Sequence, residues 1–501
     1  MDTLPALMDG FAAALSPHNL LFALIGCILG TILGLLPGIG STAGMAILIP
    51  LTMAMDPAGA IIMLAAIFYG GAYGGTITSV LLNIPGEGES AITAIDGCEM
   101  TKRGRAGVAL TTAGIGSFIG GTTATIGLVV AAEPLARLGL RVGPPEFFSL
   151  VLIGLALLVG LVGRSVLKGM ISAAIGLLIA MVGIDPVAGL PRFTFGQAHF
   201  FDGISYIPVL VGIFGLGELL ASAGGASARP KAPSLRELIP SRADFRRSAP
   251  TIARGTAIGG IIGLIPGVSS AISSLLAYSA ERKISKHGKE FGKGAIEGVA
   301  APETANNAHS NASFVPLFTL GIPASPAIAV LMGAFLQNGL TPGPRLFVEA
   351  PDLVWTVIAS LFVGNLLLLV LNVPLVGVWT RILAIPYSVL RAIIFAFIVI
   401  GSYAVNNSVI DIYVMVFFGV VGFVFRQVNV PVAPLVLTLI LGPFIESALR
   451  ESLQISQGDF GIFLDRPLSL VFLIIAAAIL LASILGAGLK RRAELPVDAE
   501  V

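Results

Sequence analysis

The sequence predicts an all-α polytopic membrane protein made of two inverted-topology repeats, each with a re-entrant hairpin and a broken helix. The chain has 501 residues, of which 55% are hydrophobic and only 11% are charged, whereas soluble domains are about 25% charged. Apolar runs of roughly 17 to 25 residues, enough to cross a bilayer as helices, recur along the whole chain. Two of these runs are interrupted by related sequences, at residues 34–42 and 263–270.

Both interruptions place hydroxyl side chains shortly after a proline and a glycine. They contain Pro37, Gly38, Ser41 and Thr42 in the first case, and Pro266, Gly267, Ser269 and Ser270 in the second. Proline lacks the backbone donor that a helix needs and glycine widens the range of dihedral angles, so we expect a helix break at both places. The recurrence of the pattern indicates an internal duplication.

The first transmembrane repeat is expected over residues 1–228. Its predicted parts are a hairpin at 19–55, a broken segment at 58–98 and scaffold helices within 107–222. The broken segment contains a run at 69–76 that we interpret as too rich in glycine for a regular helix, followed by a break at Asn83-Ile84-Pro85-Gly86. The scaffold spans are predicted at 107–132, 146–162, 166–184 and 205–222.

A cytoplasmic basic linker at 229–254 is expected before the second, inverted repeat at 255–501. The predicted parts of this repeat are a hairpin at 255–280, a broken segment at 294–340 and scaffold helices within 353–489. The sequence Gly321-Ile322-Pro323 corresponds to the earlier Ile-Pro pair. The spans are predicted at 353–373, 386–404, 409–425, 431–447 and 468–489, which gives about eleven spans and two hairpins in all.

The distribution of lysine and arginine predicts the orientation, because these residues accumulate on the cytoplasmic side. The basic loops at 102–105, 229–254 and 282–293 should therefore be cytoplasmic. Residues 1–18 contain acidic side chains but no lysine or arginine, which predicts an external N-terminus, and the basic residues 490–492 predict an internal C-terminus. The two repeats would then have opposite orientations.

Charge, cysteine content and motifs argue against several other classes. The net charge of +1 indicates no nucleic-acid partner. Cys27 and Cys98 fit no metal-binding or disulfide pattern. We find no phosphate loop of the G-x-x-x-x-G-K-[ST] type, so nothing indicates an ATPase.

The breaks are the candidate substrate site, because broken helices expose backbone groups near the membrane midplane and helix N-termini attract anions. Hydroxyl groups beside them can donate to a carboxylate. The candidate substrate-binding residues are Pro37, Gly38, Ser41, Thr42, Asn83, Pro266, Gly267, Ser269, Ser270 and Ser325. The alternative is that each Pro-Gly pair only kinks a packing helix.

Residues 302–311 form the most polar stretch in an apolar context, which is costly in lipid unless the side chains serve a site. Amide oxygens and freed carbonyls are hard ligands suited to sodium. The candidate cation-binding or coupling residues are Gly74, Thr76, Glu303, Asn306, Asn307 and Asn311. No catalytic residue, no cofactor and no metal other than sodium is expected; the coupling ion is sodium or a proton.

Several roles stay open at this stage. The asparagine amides could instead hold a substrate carboxylate, and Glu303 could bind a cation, carry a proton or cap a helix. The whole stretch 302–311 could also be a polar loop outside the membrane. We interpret His309 as a structural histidine, and Glu87 and Glu89 as solvated, with a gating role as the alternative for the two glutamates.

The motifs together resemble the large membrane subunit, of the TctA type, of the bacterial tripartite tricarboxylate transporters. The resemblance covers about residues 15–485 and depends on Gly34-Leu35-Leu36-Pro37-Gly38, Tyr69-Gly70-Gly71, Asn83-Ile84-Pro85-Gly86, Ala301-Pro302-Glu303, Asn306-Asn307-Ala308 and Leu320-Gly321-Ile322-Pro323. It implies a permease in the bacterial inner membrane that imports tricarboxylates or related carboxylates by cation symport. It also implies a small four-helix membrane subunit, a periplasmic solute-binding protein and an elevator-like movement.

Two alternatives are kept. One is a stand-alone ion-coupled carboxylate carrier that needs no partner. The other is an intramembrane hydrolase that uses Glu303 and His309 as acid and base, which would also need a nucleophile or a set of metal ligands.

Overall fold

The computed structural model describes residues 3–36, 40–139, 142–161, 165–185, 189–221, 233–383 and 387–493. The helices of the N-terminal half are α1 (Thr3–Ala14), α2 (Pro17–Leu35), α3 (Gly40–Thr52), α4 (Pro57–Leu82), α5 (Ser90–Lys102), α6 (Ala106–Gly139), α7 (Pro144–Leu161), α8 (Val166–Ala180), α9 (Tyr206–Leu210) and α10 (Gly217–Ala221). A π-helical segment, Val211–Leu216, joins α9 to α10 without a break. The strands β1 (Gly183–Ile184) and β2 (Pro191–Arg192) form a short antiparallel pair with Gly183 opposite Arg192.

The C-terminal half is also helical where it is described. Its helices are α11 (Arg242–Gly263), α12 (Ser270–Ile284), α13 (Glu297–Ala312), α14 (Phe314–Leu320), α15 (Pro326–Gln337), α16 (Leu346–Glu349), α17 (Pro351–Asn372), α18 (Val376–Ile382), α19 (Tyr387–Asn406), α20 (Val409–Gln427), α21 (Ala433–Ile455), α22 (Ile462–Asp465) and α23 (Pro467–Ala493). Helix α11 begins at Arg242, within the segment expected to be a linker.

Seven of the described helices are long and apolar enough to cross a membrane. They are Pro17–Leu35, Pro57–Leu82, Ala106–Ala131, Pro351–Asn372, Val389–Asn406, Val409–Gln427 and Ala433–Ile455. The spans expected at 146–162, 166–184, 205–222 and 468–489 coincide with shorter apolar helical stretches of 10–17 residues, namely Pro144–Leu157, Val166–Ala180, Tyr206–Ala221 and Pro467–Ser483. The chain is therefore a multi-pass membrane protein, and the total of eleven crossings stays a prediction.

The outward faces of the peripheral helices are apolar. On α20, for example, Tyr413, Phe417 and Val424 are exposed, and on α19 Ile393 and Phe397 are exposed. A soluble protein rarely exposes a continuous apolar surface of this extent. These faces suit contact with lipid.

Helix α4 occupies the centre of the fold, and every residue from Gly59 to Leu81 is buried. It corrects one prediction, because residues 69–76 are regular helix and not a broken run. The glycines in this run allow close approach: a Cβ placed on Gly74 would lie 2.2 Å from the carbonyl oxygen of Thr31 on α2. Close packing on α2 therefore outweighs the low helix propensity of glycine.

Helix α13 is the second fully buried helix, from Glu297 to Ala312. It carries the polar stretch 302–311, so the alternative of an exposed polar loop is wrong. A buried helix satisfies its own backbone groups, which leaves only the side chains to be accommodated. Its contacts with α6, α11 and α12 supply the partners described below.

Glycines spaced four residues apart on α2 and on α11 allow close packing against the two buried central helices. Helix α2 packs on α4, and α11 packs on α13. On α2, a Cβ at Gly30 or Gly34 would lie 2.5 Å from the Ile67 oxygen or 2.1 Å from the Gly71 oxygen of α4. On α11, a Cβ at Gly259 would lie 2.1 Å from the Ala305 oxygen of α13. Both halves of the chain therefore contain the same type of backbone-to-backbone helix contact.

Each central helix is followed by a break at the Ile-Pro sequence. Helix α4 ends at Asn83, whose φ of 58° is left-handed, and α5 begins at Ser90; we call residues 83–89 the first Ile-Pro break. Helix α14 ends at Gly321, whose φ is 68°, and α15 begins at Pro326; we call residues 321–325 the second Ile-Pro break. Glycine and asparagine tolerate this conformation best.

The three basic regions lie on one face of the molecule. Arg105, after α5, forms an ion pair of 2.6 Å with Asp244 at the start of α11. Arg247 of α11 pairs with Glu290 and Glu297 around the start of α13, at 2.8 and 2.7 Å, and holds the pKa of Glu290 below its usual range by hydrogen bonding. The loops predicted to be cytoplasmic are therefore neighbours in space.

Candidate functional site

Four helices begin at the wall of one cavity of about 410 Å³. They are α3, α5, α12 and α15, which have 13, 13, 15 and 12 residues. Each helix N-terminus has unpaired N–H groups and about half a positive charge. The breaks in the sequence thus bring four positive helix ends to a single cavity.

The N-terminus of α3 forms the first tip, which we define as residues 40–42. Ser41 and Thr42 line the cavity together with Gly40, whose φ of 63° is left-handed. The amide N–H of Ser41 donates a hydrogen bond to Oε1 of Glu87 in the first Ile-Pro break. A carboxylate thus already binds at this helix end.

The N-terminus of α12 forms the second tip, which we define as residues 266–270. Ser269 is the N-cap residue of α12, but its hydroxyl makes no capping hydrogen bond. The Ser270 hydroxyl donates to Oε1 of Glu89 at 3.0 Å. The amide of Gly267 donates to the carbonyl of Ala324 at 2.8 Å, which joins the second tip to the second Ile-Pro break.

The fourth helix end carries Ser325, the N-cap residue of α15. Its Oγ accepts a hydrogen bond from the Ile328 amide at 3.3 Å, and the residue lines the cavity beside Pro326. Proline at the first helical position has no N–H that needs a partner, which favours a helix start here.

The cavity brings together half of the predicted substrate-binding residues, namely Ser41, Thr42, Ser269, Ser270 and Ser325. Asn83, Pro266 and Gly267 are not in its wall: Asn83 is the C-cap residue of α4, Pro266 is half-buried outside the wall, and the Gly267 amide donates to the Ala324 carbonyl. Pro37 and Gly38 lie outside the described residues.

Three chemically important residues of the wall were not predicted as site residues. Glu87 and Glu89 are half-buried and face the two tips, and the His309 side chain is 2% exposed. Their roles depend on partners far away in sequence. For Glu87 and Glu89, the position shortly after the Ile84-Pro85 pair, within the first Ile-Pro break, was a usable signal.

A buried polar cluster accompanies the cavity. Glu303 of α13 is 1% exposed and accepts hydrogen bonds from the hydroxyls of Thr76 on α4, at 2.6 Å, and Thr93 on α5, at 2.5 Å. Thr76 and Glu303, both candidate cation-binding or coupling residues, are therefore in direct contact. Gly74, two residues before Thr76, lies in regular helix, so it has no freed carbonyl and serves close packing.

The asparagines of α13 carry unpaired polar atoms in a buried place. The Asn307 amide donates to Ser117 of α6 at 2.7 Å, but its Oδ1 has no partner. Both polar side-chain atoms of Asn306 have no partner. Asn311 accepts hydrogen bonds from Thr125 at 3.2 Å and Asn365 at 3.3 Å. Buried unpaired amides are costly, and a bound ion or ordered water would satisfy them.

No group of three or more His, Cys, Asp or Glu side chains within the described ranges could hold a metal ion. The unpaired side-chain oxygens of α13, namely Oδ1 of Asn306 and Asn307 and Oγ1 of Thr304, suit sodium better than a transition metal.

Comparison with known families identifies the family of this chain. The sequence profile of the family described as "Tripartite tricarboxylate transporter TctA family" matches residues 20–437. The chain belongs to this family. The resemblance inferred from the motifs is thereby confirmed, and membership of the TctA family implies the permease component of a transporter, not an enzyme.

Two relatives from Agrobacterium vitis are similar to this TctA-family chain. One, "Uncharacterized 52.8 kDa protein in TAR-I ttuC' 3'region", is 43% identical over 501 residues and is covered completely, as is this chain. The other, "Uncharacterized protein in TAR-II ttuC' 3'region", is 45% identical over 231 residues, which are 46% of this chain and 90% of the relative. No solved structure matches the chain.

Proposed function

We propose that this chain is the permease subunit of a secondary active transporter that imports tricarboxylates or related carboxylates by cation symport. The observation that supports this most is the convergence of four helix N-termini on one cavity. Such ends attract a multivalent anion, and the free Ser269 hydroxyl is a further donor.

Two acidic side chains in the same cavity support cation coupling. Glu87 and Glu89 accept hydrogen bonds from the two tips, so a substrate carboxylate must compete with them or approach them closely. Like charges at such distances repel unless a cation or a proton accompanies the substrate. A symported cation removes this conflict.

The coupling ion is proposed to bind on α13. Asn306 and Asn307 offer unpaired amide oxygens for sodium, and Glu303 offers a buried carboxylate held by Thr76 and Thr93. If the ion is a proton, Glu303 is the group that carries it. Sodium coupling thus involves Asn306, Asn307 and Glu303, whereas proton coupling involves Glu303 alone.

The proposed transport cycle uses the inverted-repeat arrangement with two re-entrant hairpins. The close helix contacts at glycines, between α2 and α4 and between α11 and α13, support a common origin of the two halves. In this proposal the tips and Ile-Pro breaks move together across the membrane against scaffold helices. The N-terminus is external, the C-terminus is internal, and the membrane is the bacterial inner membrane.

The proposed assembly has three components, as in the tripartite transporters for which the family is named. A periplasmic solute-binding protein delivers the carboxylate, and a small four-helix membrane subunit accompanies this chain. Uptake at full rate by this chain alone would support the stand-alone alternative. The hydrolase alternative has no support, because Glu303 and His309 bind different partners and no nucleophile is shared between them.

The test is uptake of radiolabelled carboxylates into proteoliposomes that contain the chain, its small subunit and its binding protein. Citrate, succinate and an aromatic acid are compared with an inward sodium gradient, with a proton gradient and with neither. Uptake of one acid driven by sodium supports the complete proposal. Uptake driven only by protons moves the coupling role to Glu303, and no uptake under any gradient contradicts transport of these acids.

A further inference from the structure

His309 lies where the polar face of α13 meets the cavity. The side chain is 2% exposed and belongs to the cavity wall with Ser269 and Ser270 of the second tip. Its Nδ1 is 2.8 Å from the hydroxyl oxygen of Ser273 on α12. The ring is therefore fixed from one side by the same helix that forms the second tip.

The Ser273 contact determines where the ring proton lies. Ser273 is fully buried, and within the described part of the chain its hydroxyl has no other hydrogen-bond partner. A buried hydroxyl hydrogen needs an acceptor, so Ser273 donates to Nδ1. In the neutral imidazole this places the remaining hydrogen on Nε2, which becomes a donor.

Among the described residues the Nε2 donor has no hydrogen-bond partner, and its solvent exposure is negligible. Leaving a buried donor unpaired is unfavourable, whereas a ligand carboxylate in the adjoining cavity would satisfy it. Ser269 and Ser270 line the same wall. Donors from a side chain and from a helix N-terminus thus converge on this wall.

We propose that Nε2–H of His309 donates a hydrogen bond to a carboxylate oxygen of the transported acid, with Ser273 as the positioning residue that fixes the donor tautomer. This inference rests on the proposed carboxylate transport. It assigns one carboxylate of the substrate to the side of the cavity formed by α12 and α13.

Two substitutions of the histidine separate its donor from its bulk. In His309→Gln the amide nitrogen takes a position near Nε2, so the donor toward the cavity is kept. In His309→Asn the amide nitrogen takes a position near Nδ1 and the donor toward the cavity is lost. The measurement is the KM for uptake of labelled citrate, or of succinate if the wild type takes up only succinate, with the full assembly in proteoliposomes.

We expect His309→Asn to raise KM about tenfold to hundredfold, the effect of losing one charge-assisted hydrogen bond. His309→Gln should stay within about threefold of the wild type. An unchanged KM in His309→Asn, or equal losses in both variants with wild-type thermal stability, would overturn the inference. If the wild-type protein transports neither acid, the proposed function and this inference are both overturned. This result differs from failure of the inference alone, in which the wild type still transports.

The positioning role has its own control on α12. Ser273→Ala removes the group that fixes the tautomer and should raise KM several-fold. It should lower the melting temperature of the substrate-free protein no more than the control variant does. Ser274→Ala is the control, because the neighbouring hydroxyl bonds only the Pro302 carbonyl, at 3.1 Å. Equal KM values in the two serine variants would exclude the positioning role of Ser273.

Discussion

At the scale of single residues, the chemistry of this protein depends on polar side chains of two kinds. Some are hydrogen-bonded to a partner on another element, and others are buried without a partner. Ser41 with Glu87, and Ser270 with Glu89, are paired across different elements. Asn306 is buried with both polar side-chain atoms unpaired. Since unpaired buried groups are unfavourable, the unpaired ones mark where a ligand or ion is expected.

Asn307 provides a direct test of the cation site. Replacing Asn307 with Ala removes the unpaired Oδ1, and we expect the sodium concentration for half-maximal uptake to rise about tenfold. The control is Asn338→Ala, since the Asn338 amide only donates to the Ala334 carbonyl at the end of its own helix, at 2.8 Å. Identical sodium dependence in the two variants would remove Asn307 from the cation site.

Asp96 of α5 is a structural counterpart to these functional groups. Its buried carboxylate accepts hydrogen bonds from the amides of Gly292, Gly294 and Ala295 and from the Tyr278 hydroxyl, at 2.8 to 3.1 Å. It therefore attaches α5 to α12 and to the segment before α13.

Replacing Asp96 with Asn should lower the free energy of unfolding by about 3 kcal/mol, because an amide group would face backbone donors. The measurement is the thermal melting temperature in detergent. Glu99→Gln on the same helix is the control, since Glu99 makes only a solvent-accessible ion pair with Lys102. Equal melting temperatures would show that the Asp96 contacts contribute little.

At the scale of elements, glycine spacing decides how close the central helices lie. Gly259 and Gly260 are neighbours on α11 with opposite surroundings. A Cβ at Gly259 would lie 2.1 Å from the Ala305 oxygen, whereas a Cβ at Gly260 meets nothing within 4 Å. The pair therefore separates the packing role of glycine from its low helix propensity.

We expect Gly259→Ala to destabilise the protein by about 1–3 kcal/mol, because α11 must move away from α13. Gly260→Ala should be neutral or stabilising by up to about 1 kcal/mol, because alanine favours the helix. Both can be measured as melting temperatures of the purified protein. The packing argument would be wrong if the two variants melted alike.

At the scale of the whole molecule, the basic loops are collected on one face. Arg105 contacts Asp244, and Arg247 contacts the segment before and at the start of α13. This arrangement agrees with the expectation that these loops share one side of the membrane. The orientation needs a labelling experiment.

The prediction is that cysteine at position 286 reacts with a membrane-impermeant maleimide only from the cytoplasmic side, and cysteine at position 9 only from outside. Lys286 and Asp9 are both exposed. The substitutions Lys286→Cys and Asp9→Cys are made after Cys98 is replaced by Ser, because Cys27 is buried and Cys98 is partly accessible. Labelling of both positions from the same side would contradict the proposed topology.

The sequence by itself determined the helical membrane class, the positions of the Ile-Pro breaks and the hydroxyl residues beside them. These features depend on local rules: hydropathy sets the length of a span, and proline and glycine set where a helix ends. It also carried the family motifs, which the profile match from 20 to 437 confirmed. The glycine-rich run at 69–76 was misjudged because helix propensity was weighed without the helix packed against it.

Only the tertiary structure decided which polar groups meet. Glu89 and Ser270 are separated by 181 residues, and Glu303 and Thr76 by 227, so no local pattern links them. His309 looked structural in sequence, and its unpaired Nε2 beside the cavity became apparent only when Ser273 was placed against Nδ1. The physical reason is that burial and hydrogen-bond pairing are properties of contacts between distant segments, whereas helix breaks are properties of the segments themselves.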